Sequence, residues 1–214
     1  MLVNQRRSLT ASAVMLGGAV AIGALVAVPA TRDWVHAVDE ATRDLAVRVR
    51  NGPSTVFAEA LSLIGSVWVI WPLRAVIGLL LAARRRWLQL TAFALSVITS
   101  EVCIGGLKAL YDRPRPPGSI IETTAASFPS GHAIAATVTA FWIMIALVPP
   151  TPARWKWAAA AVVFAFVMAM SRVYLSAHWL SDVMAGALLG AGIAFGWPAV
   201  LMTYTRDDVI ALDE

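Results

Sequence analysis

Residues 180–202, LSDVMAGALLGAGIAFGWPAVLM, carry a single charged side chain, Asp182, close to their start. A helix that is apolar all round over about 20 residues suits the interior of a bilayer rather than one face of a soluble core. Working outward toward the N-terminus, comparable runs recur at residues 157–173, 133–148, 87–107, 61–82 and 9–28. Together they predict an all-α fold, an integral membrane bundle of six transmembrane helices, with residues 1–214 as one domain. Composition agrees, since 59% hydrophobic and 14% charged residues at a mean hydropathy of +0.72 leave too little polar surface for a water-soluble globule of this size. The net charge of +4 is spread along the chain, which excludes a nucleic-acid-binding protein. Cys103 is the single cysteine and lies inside an apolar run, so no intramolecular disulfide and no thiol pair for a metal can form.

The first run follows Arg6-Arg7 and ends at Val28-Pro29-Ala30, a junction that also suits a signal peptidase. Its length exceeds the core of about 7 to 15 residues typical of a signal peptide, so it is read as a retained anchor. Beyond it, Trp34, Val38, Ala41, Leu45 and Val49 recur at steps of three or four among charged residues. That stripe predicts an interfacial amphipathic helix lying on the membrane surface, with His36 solvated beside it, until Asn51-Gly52-Pro53 breaks it. Basic residues outside the runs divide evenly between the two sides of the membrane. Arg84-Arg85-Arg86, compact and without an acidic neighbour, breaks the tie and predicts cytoplasmic N- and C-termini.

Six crossings bring the end of the third run, the start of the fourth, the end of the fifth and the start of the sixth to one face. Those ends hold Lys108, Arg113 and Arg115 in KALYDRPRP, Ser130, Gly131 and His132 in FPSGH, and Arg172, His178 and Asp182 in SRVYLSAHWLSD. Cations and imidazoles gathered at a membrane surface suit a phosphate-like anion. Pro129-Ser130-Gly131 reads as a break followed by a helix N-terminus, with Ser130 as N-cap and Gly131 letting backbone N–H groups approach the anion. His178 and Asp182, four apart, are expected on one helical face, where the carboxylate accepts the Nδ1 proton and leaves Nε2 as nucleophile or base.

These three strings, Lys108-x6-Arg115-Pro116, Pro129-Ser130-Gly131-His132 and Ser171-Arg172-x5-His178-x3-Asp182, resemble the three signature motifs of the type 2 phosphatidic acid phosphatase (PAP2) superfamily, in order. In size and layout the chain is most similar to the small bacterial members that act on phosphatidylglycerophosphate or undecaprenyl diphosphate. The resemblance implies a membrane lipid phosphatase in which His178 attacks phosphorus to form a phosphohistidine, Asp182 orients it and His132 protonates the leaving oxygen. Lys108, Arg115, Arg172, Ser130 and the Gly131 amide would hold the phosphoryl oxygens, with no metal and no cofactor. The implied substrate is a lipid diphosphate of the undecaprenyl type, with phosphatidylglycerophosphate or phosphatidic acid as the alternative. The implied location is the outer face of a bacterial inner membrane, among membrane lipids and without nucleic acid.

Other readings stand beside this one. Arg74 and Glu101 lie within apolar runs, where charge is expensive, and either form an internal pair or, through Glu101, line the base of the pocket. Intramembrane charges would also suit the pathway of an anionic-lipid transporter, although the halves of the chain show no repeat and a transporter has no need of a His–Asp pair. The same motifs occur in soluble vanadate-dependent haloperoxidases, which this composition excludes. Arg113 either contacts a second phosphate or faces lipid headgroups. Gly186, Gly190, Gly192 and Gly196 make faces for close helix packing.

Overall fold

The computed structural model describes residues 5–122 and 126–210, and the side chains within residues 204–210 are not described. Among the described residues the chain is all-helical: α1 (Gln5–Ala27), α2 (Pro29–Arg48), α3 (Gly52–Ile64), α4 (Val67–Ala83), α5 (Trp87–Tyr111), α6 (Gly131–Leu147), α7 (Arg154–Tyr174) and α8 (Leu180–Ile210). Local sequence explains the boundaries. Pro29 opens α2 at a position where its missing N–H costs nothing, and the Asn51 side chain caps α3 by accepting from Ser54 N at 3.0 Å. Gly65 and Ser66 interrupt what the apolar pattern presents as one run, so α3 and α4 meet at a 48° bend.

α6 is the axis of the bundle, with Ile134, Ala136, Val138 and Trp142 fully buried. α8 lies against it because of its glycines: a Cβ on Gly186 would stand 2.8 Å from the Ser130 carbonyl, and one on Gly190 2.8 Å from that of Ile134. The next pair turns toward α1, where a Cβ on Gly192 would meet Leu16 at 2.7 Å and one on Gly196 the Ser12 hydroxyl at 2.8 Å. The glycine series therefore serves close helix packing, as expected, on two different faces.

Four helices, α1, α5, α7 and α8, are long and apolar enough to cross a bilayer, and the bent α3–α4 pair would make a fifth. α6 has 17 residues, about 25 Å of helix at 1.5 Å per residue, short of a hydrocarbon core of about 30 Å. The outward surface is apolar, with Val20, Trp68, Leu79 and Leu110 each at least 70% exposed, as lipid contact requires. On α2 the stripe of Trp34, Val38 and Leu45 also points outward, while Val35 and Asp39 face the bundle. Arg74 and Glu101 pair with each other at 2.6 Å, and Arg74 also donates to Thr139. Arg74 and Glu101 thus form the internal pair.

Candidate active site

The turn between α7 and α8 carries the first histidine. Ser176 adopts a left-handed conformation (φ 51°), and Arg50, just beyond α2, braces it by donating to the Tyr174 carbonyl at 2.7 Å and the Ser176 hydroxyl at 2.7 Å. His178 follows, 2% exposed. Its Nε2 lies 3.2 Å from Arg115 Nη1. A guanidinium only donates, so Nε2 carries the lone pair and Nδ1 the proton. Nδ1 is 3.5 Å from Asp182 Oδ2, at the outer limit of a hydrogen bond, and such contacts tighten when a substrate binds.

Asp182 is fully buried and fully engaged. Its Oδ2 accepts from the Ser127 hydroxyl and, at 2.9 Å, from Trp179 N, the reach of a third-position acid back to the residue before its helix. Its Oδ1 accepts from Arg113 Nη1 at 2.6 Å.

The second histidine stands at the start of α6. Ser130 is the N-cap, its hydroxyl accepting from Ala133 N at 3.4 Å, and its own N–H donates to the Asp182 carbonyl at 3.1 Å, tying α6 to α8. His132 Nε2 donates to the Ser62 carbonyl at 3.2 Å, which leaves Nδ1 as the other reactive nitrogen. Ser62 also accepts, through its hydroxyl, from Arg172 Nη1 at 2.6 Å. Arg172 is 2% exposed and its Nε is buried without a partner, a donor waiting for an acceptor. The break after α3 contributes as well, since a Cβ on Gly65 would lie 2.7 Å from His132 Cδ2.

Two further cations converge from the α5 end. Lys108 Nζ donates to the Ala126 carbonyl, which Arg115 Nη2 also approaches at 3.5 Å, while Arg115 Nη1 donates to the Ala177 carbonyl at 2.5 Å. His132 lies close enough to Arg172 and Arg115 to feel their charge, and near His178. The site therefore unites Lys108, Arg115, Ser130, Gly131, His132, Arg172, His178 and Asp182 from four separate segments.

The sequence model of one protein family, described as the PAP2 superfamily, matches residues 89–206. The chain belongs to the PAP2 superfamily. The undecaprenyl-diphosphatase of Sulfolobus acidocaldarius is 32% identical over 139 residues, 60% of this chain and 61% of that protein. The matched segment thus spans about three fifths of that relative's length. Phosphatidylglycerophosphatase B of Bacillus subtilis is 29% identical over 170 residues, 75% of this chain and 82% of that one. The crystal structure of a transmembrane PAP2 type phosphatidylglycerolphosphate phosphatase from Bacillus subtilis superposes with a TM-score of 0.72 at 24% identity, covering 92% of this chain and 96% of that one, which establishes a shared fold.

Several details of this PAP2 site differ from the sequence expectation. His178 and Asp182 do not share a helix: His178 ends the turn, and Asp182 sits in the first turn of α8. Arg113 turns inward rather than to the headgroup side: Nη1 pairs with Asp182 at 2.6 Å and donates to the Ser181 hydroxyl at 2.7 Å, and Nη2 pairs with Asp39 at 2.7 Å. Ser62, Ser127 and Asp39 went unread. Asp39 had one available signal, its spacing of four from Val35, which puts both on the inner face of α2.

Burial pushes the His178 imidazole down to about 4; the nearby Asp182 carboxylate opposes this, and Arg115 and Arg172 add to it. An unfolded chain, with an ordinary imidazole, takes up a proton between about pH 6.5 and 4, whereas the folded protein does not. Stability from the neutral His178 is thus complete above about 6.5 and declines as pH falls toward 4. In detergent micelles, the His178 nitrogen resonances are expected to remain those of a neutral ring at about pH 5, where an unperturbed histidine is protonated. A midpoint near 6.5 would contradict the buried geometry.

Proposed function

We propose that this chain is an integral membrane lipid phosphatase that cleaves a terminal phosphate through a phosphohistidine on His178. The observation that carries the reading is the His178 Nε2 lone pair, 3.2 Å from Arg115 Nη1, with the buried and partly unpartnered Arg172 guanidinium among the surrounding cations. Phosphoryl transfer spreads charge over three equatorial oxygens and is catalysed chiefly by positioned positive donors. In this reading Lys108, Arg115, Arg172, the Ser130 hydroxyl and the Gly131 N–H bind those oxygens. His178 Nε2 attacks phosphorus, the bond to the lipid oxygen breaks, and that oxygen takes a proton from His132 Nδ1. Water then attacks the phosphohistidine, giving its proton to His132 and releasing phosphate with both imidazoles restored. Asp182 holds the Nδ1 proton of His178 and stabilises the charge that develops on the ring.

The substrate of first choice is an isoprenoid diphosphate of the undecaprenyl type, supported by the Sulfolobus relative's name, with phosphatidylglycerophosphate next, supported by the Bacillus relative's. A site at helix ends suits a lipid whose tail stays in the bilayer while its headgroup meets the cations. We further assign α6 as a sixth crossing, sheltered from lipid by its neighbours, and α2 as an interfacial helix resting its outward Trp34, Val38 and Leu45 on the membrane. The Arg84-Arg85-Arg86 loop then faces the cytoplasm and the site the outside of a bacterial inner membrane.

The test is phosphate release by purified protein in detergent from undecaprenyl diphosphate, phosphatidylglycerophosphate and phosphatidic acid, with divalent ions chelated. Release is expected to survive EDTA and to be inhibited by vanadate, whose five-coordinate form matches the transition state against His178. Strict dependence on a divalent ion, or no release from any of the three, would overturn the reading.

A further inference from the structure

We propose that Asp39, which lies on α2 outside every signature motif, is a positioning residue for the phosphohistidine chemistry and acts through Arg113 on Asp182. This inference rests on the phosphatase reading. Asp39 is 1% exposed, and a carboxylate buried so deeply persists only with its charge compensated and its lone pairs filled. Three donors fill them: Ser181 N at 2.8 Å on Oδ1, with the Ser181 hydroxyl at 2.6 Å and Arg113 Nη2 at 2.7 Å on Oδ2. Arg113 is the only cation among these partners, and its other terminal nitrogen donates to Asp182 Oδ1 at 2.6 Å and to the Ser181 hydroxyl at 2.7 Å. The guanidinium is rigid and planar, so its hold on one carboxylate fixes where it can hold the other. Its face also lies over the Trp179 ring, 5.7 Å from the centroid, next to His178 in the chain.

The division of labour on Asp182 explains why this matters. Arg113 takes Oδ1, while Oδ2 meets Ser127, Trp179 N and His178. By pinning Oδ1, Arg113 sets the rotation of the carboxylate and keeps Oδ2 toward His178 Nδ1. Without the Asp39 charge, Arg113 has one carboxylate left to neutralise it, draws the charge of Asp182 toward Oδ1, and weakens the acceptor that orients the nucleophile. A purely structural Asp39 would only fasten α2 to the start of α8 through Ser181. The two roles separate by substitution: Asp39→Asn keeps an oxygen for Ser181 N but puts an uncharged amide where Arg113 needs an acceptor, whereas Ser181→Ala loses the hydroxyl that donates to Asp39 at 2.6 Å and accepts from Arg113 Nη1 at 2.7 Å while leaving both carboxylates to pair with Arg113.

The experiment uses the full-length protein in detergent and measures kcat and KM on the lipid phosphate it hydrolyses best, the resonance of the His178 Nδ1 proton, and thermal unfolding. Asp39→Asn is expected to lower kcat about 10- to 100-fold, by analogy with the partners that orient metal-bound histidines from behind. KM is expected to change little, since Lys108, Arg115 and Arg172 are untouched, and the Nδ1 proton resonance is expected to move. Arg113→Lys, which keeps the charge but cannot bridge both carboxylates with one planar fork, should do the same without removing an acid. Asp39→Asn should add nothing in an Arg113→Gln background, and Ser181→Ala, which keeps both ion pairs, should lose clearly less kcat than Asp39→Asn. An unchanged kcat and resonance in Asp39→Asn, independent effects of Asp39 and Arg113, or a loss that Ser181→Ala matches and unfolding temperature accounts for would each overturn the proposal. A parent protein without phosphatase activity would instead defeat the phosphatase reading, and the resonance comparison would still decide the positioning claim.

Discussion

His178→Ala is expected to abolish turnover, by about 10⁴- to 10⁶-fold as for the loss of other catalytic nucleophiles, and to remove the covalent phosphoenzyme entirely. The imidazole has no substitute in place. His132 is held by its Nε2 on the Ser62 carbonyl at 3.2 Å and its Nδ1 is assigned to the leaving oxygen, on the side of phosphorus opposite the attack, while Lys108 and Arg115 are cations committed to the carbonyls of Ala126 and Ala177. The cations and the α6 N-terminus survive the substitution, so the variant should still bind substrate or inorganic phosphate. The check is a quench under alkaline conditions, where phosphohistidine persists, followed by localisation of the phosphate. Phosphate found on His132, or a His178→Ala variant that still turns over, would reverse or remove the assigned roles.

The run at residues 180–202 could be read as a membrane helix because charge is so costly in lipid that its absence is a strong signal. The same constraint placed the motif residues at the ends of the runs and hence on one face. Helix orientation within the bundle was less legible. A helix apolar all round gives no periodic contrast between inside and outside, so nothing in the α6 sequence marks it as the central helix with Trp142 fully buried. The bend at Gly65-Ser66 was hidden inside an apolar run, and with it the approach of Ser62 to both His132 and Arg172. On α2 the eye follows the outward stripe of Trp34, Val38 and Leu45, because hydrophobicity outweighs a single acid, yet the inner face with Asp39 reaches the site. The carboxylate partners of Arg113 were hidden for a related reason: local spacing cannot reveal a partner 74 residues away.

Replacing His132 separates the two imidazoles by the chemistry of the leaving group. With Nε2 donating to the Ser62 carbonyl, a protonated His132 presents its second N–H at Nδ1, among the charges of Arg172 and Arg115, and that proton is the one a departing oxygen requires. General acid catalysis contributes about 10²- to 10⁴-fold where the leaving oxygen is a poor anion. A monoester such as phosphatidic acid releases an alkoxide, which cannot depart unprotonated, so His132→Ala should lose that full factor on it. A diphosphate releases a lipid phosphate, already a stable anion, so the same variant should lose much less, on the order of ten-fold. The measurement is the ratio of kcat/KM for undecaprenyl diphosphate to that for phosphatidic acid, in parent and variant side by side. The ratio should rise at least ten-fold in His132→Ala, because the deletion removes a proton that one substrate needs and the other barely uses. Equal losses on the two substrates would mean that His132 binds or positions the phosphoryl group instead, and protonation would then have to come from water or Lys108.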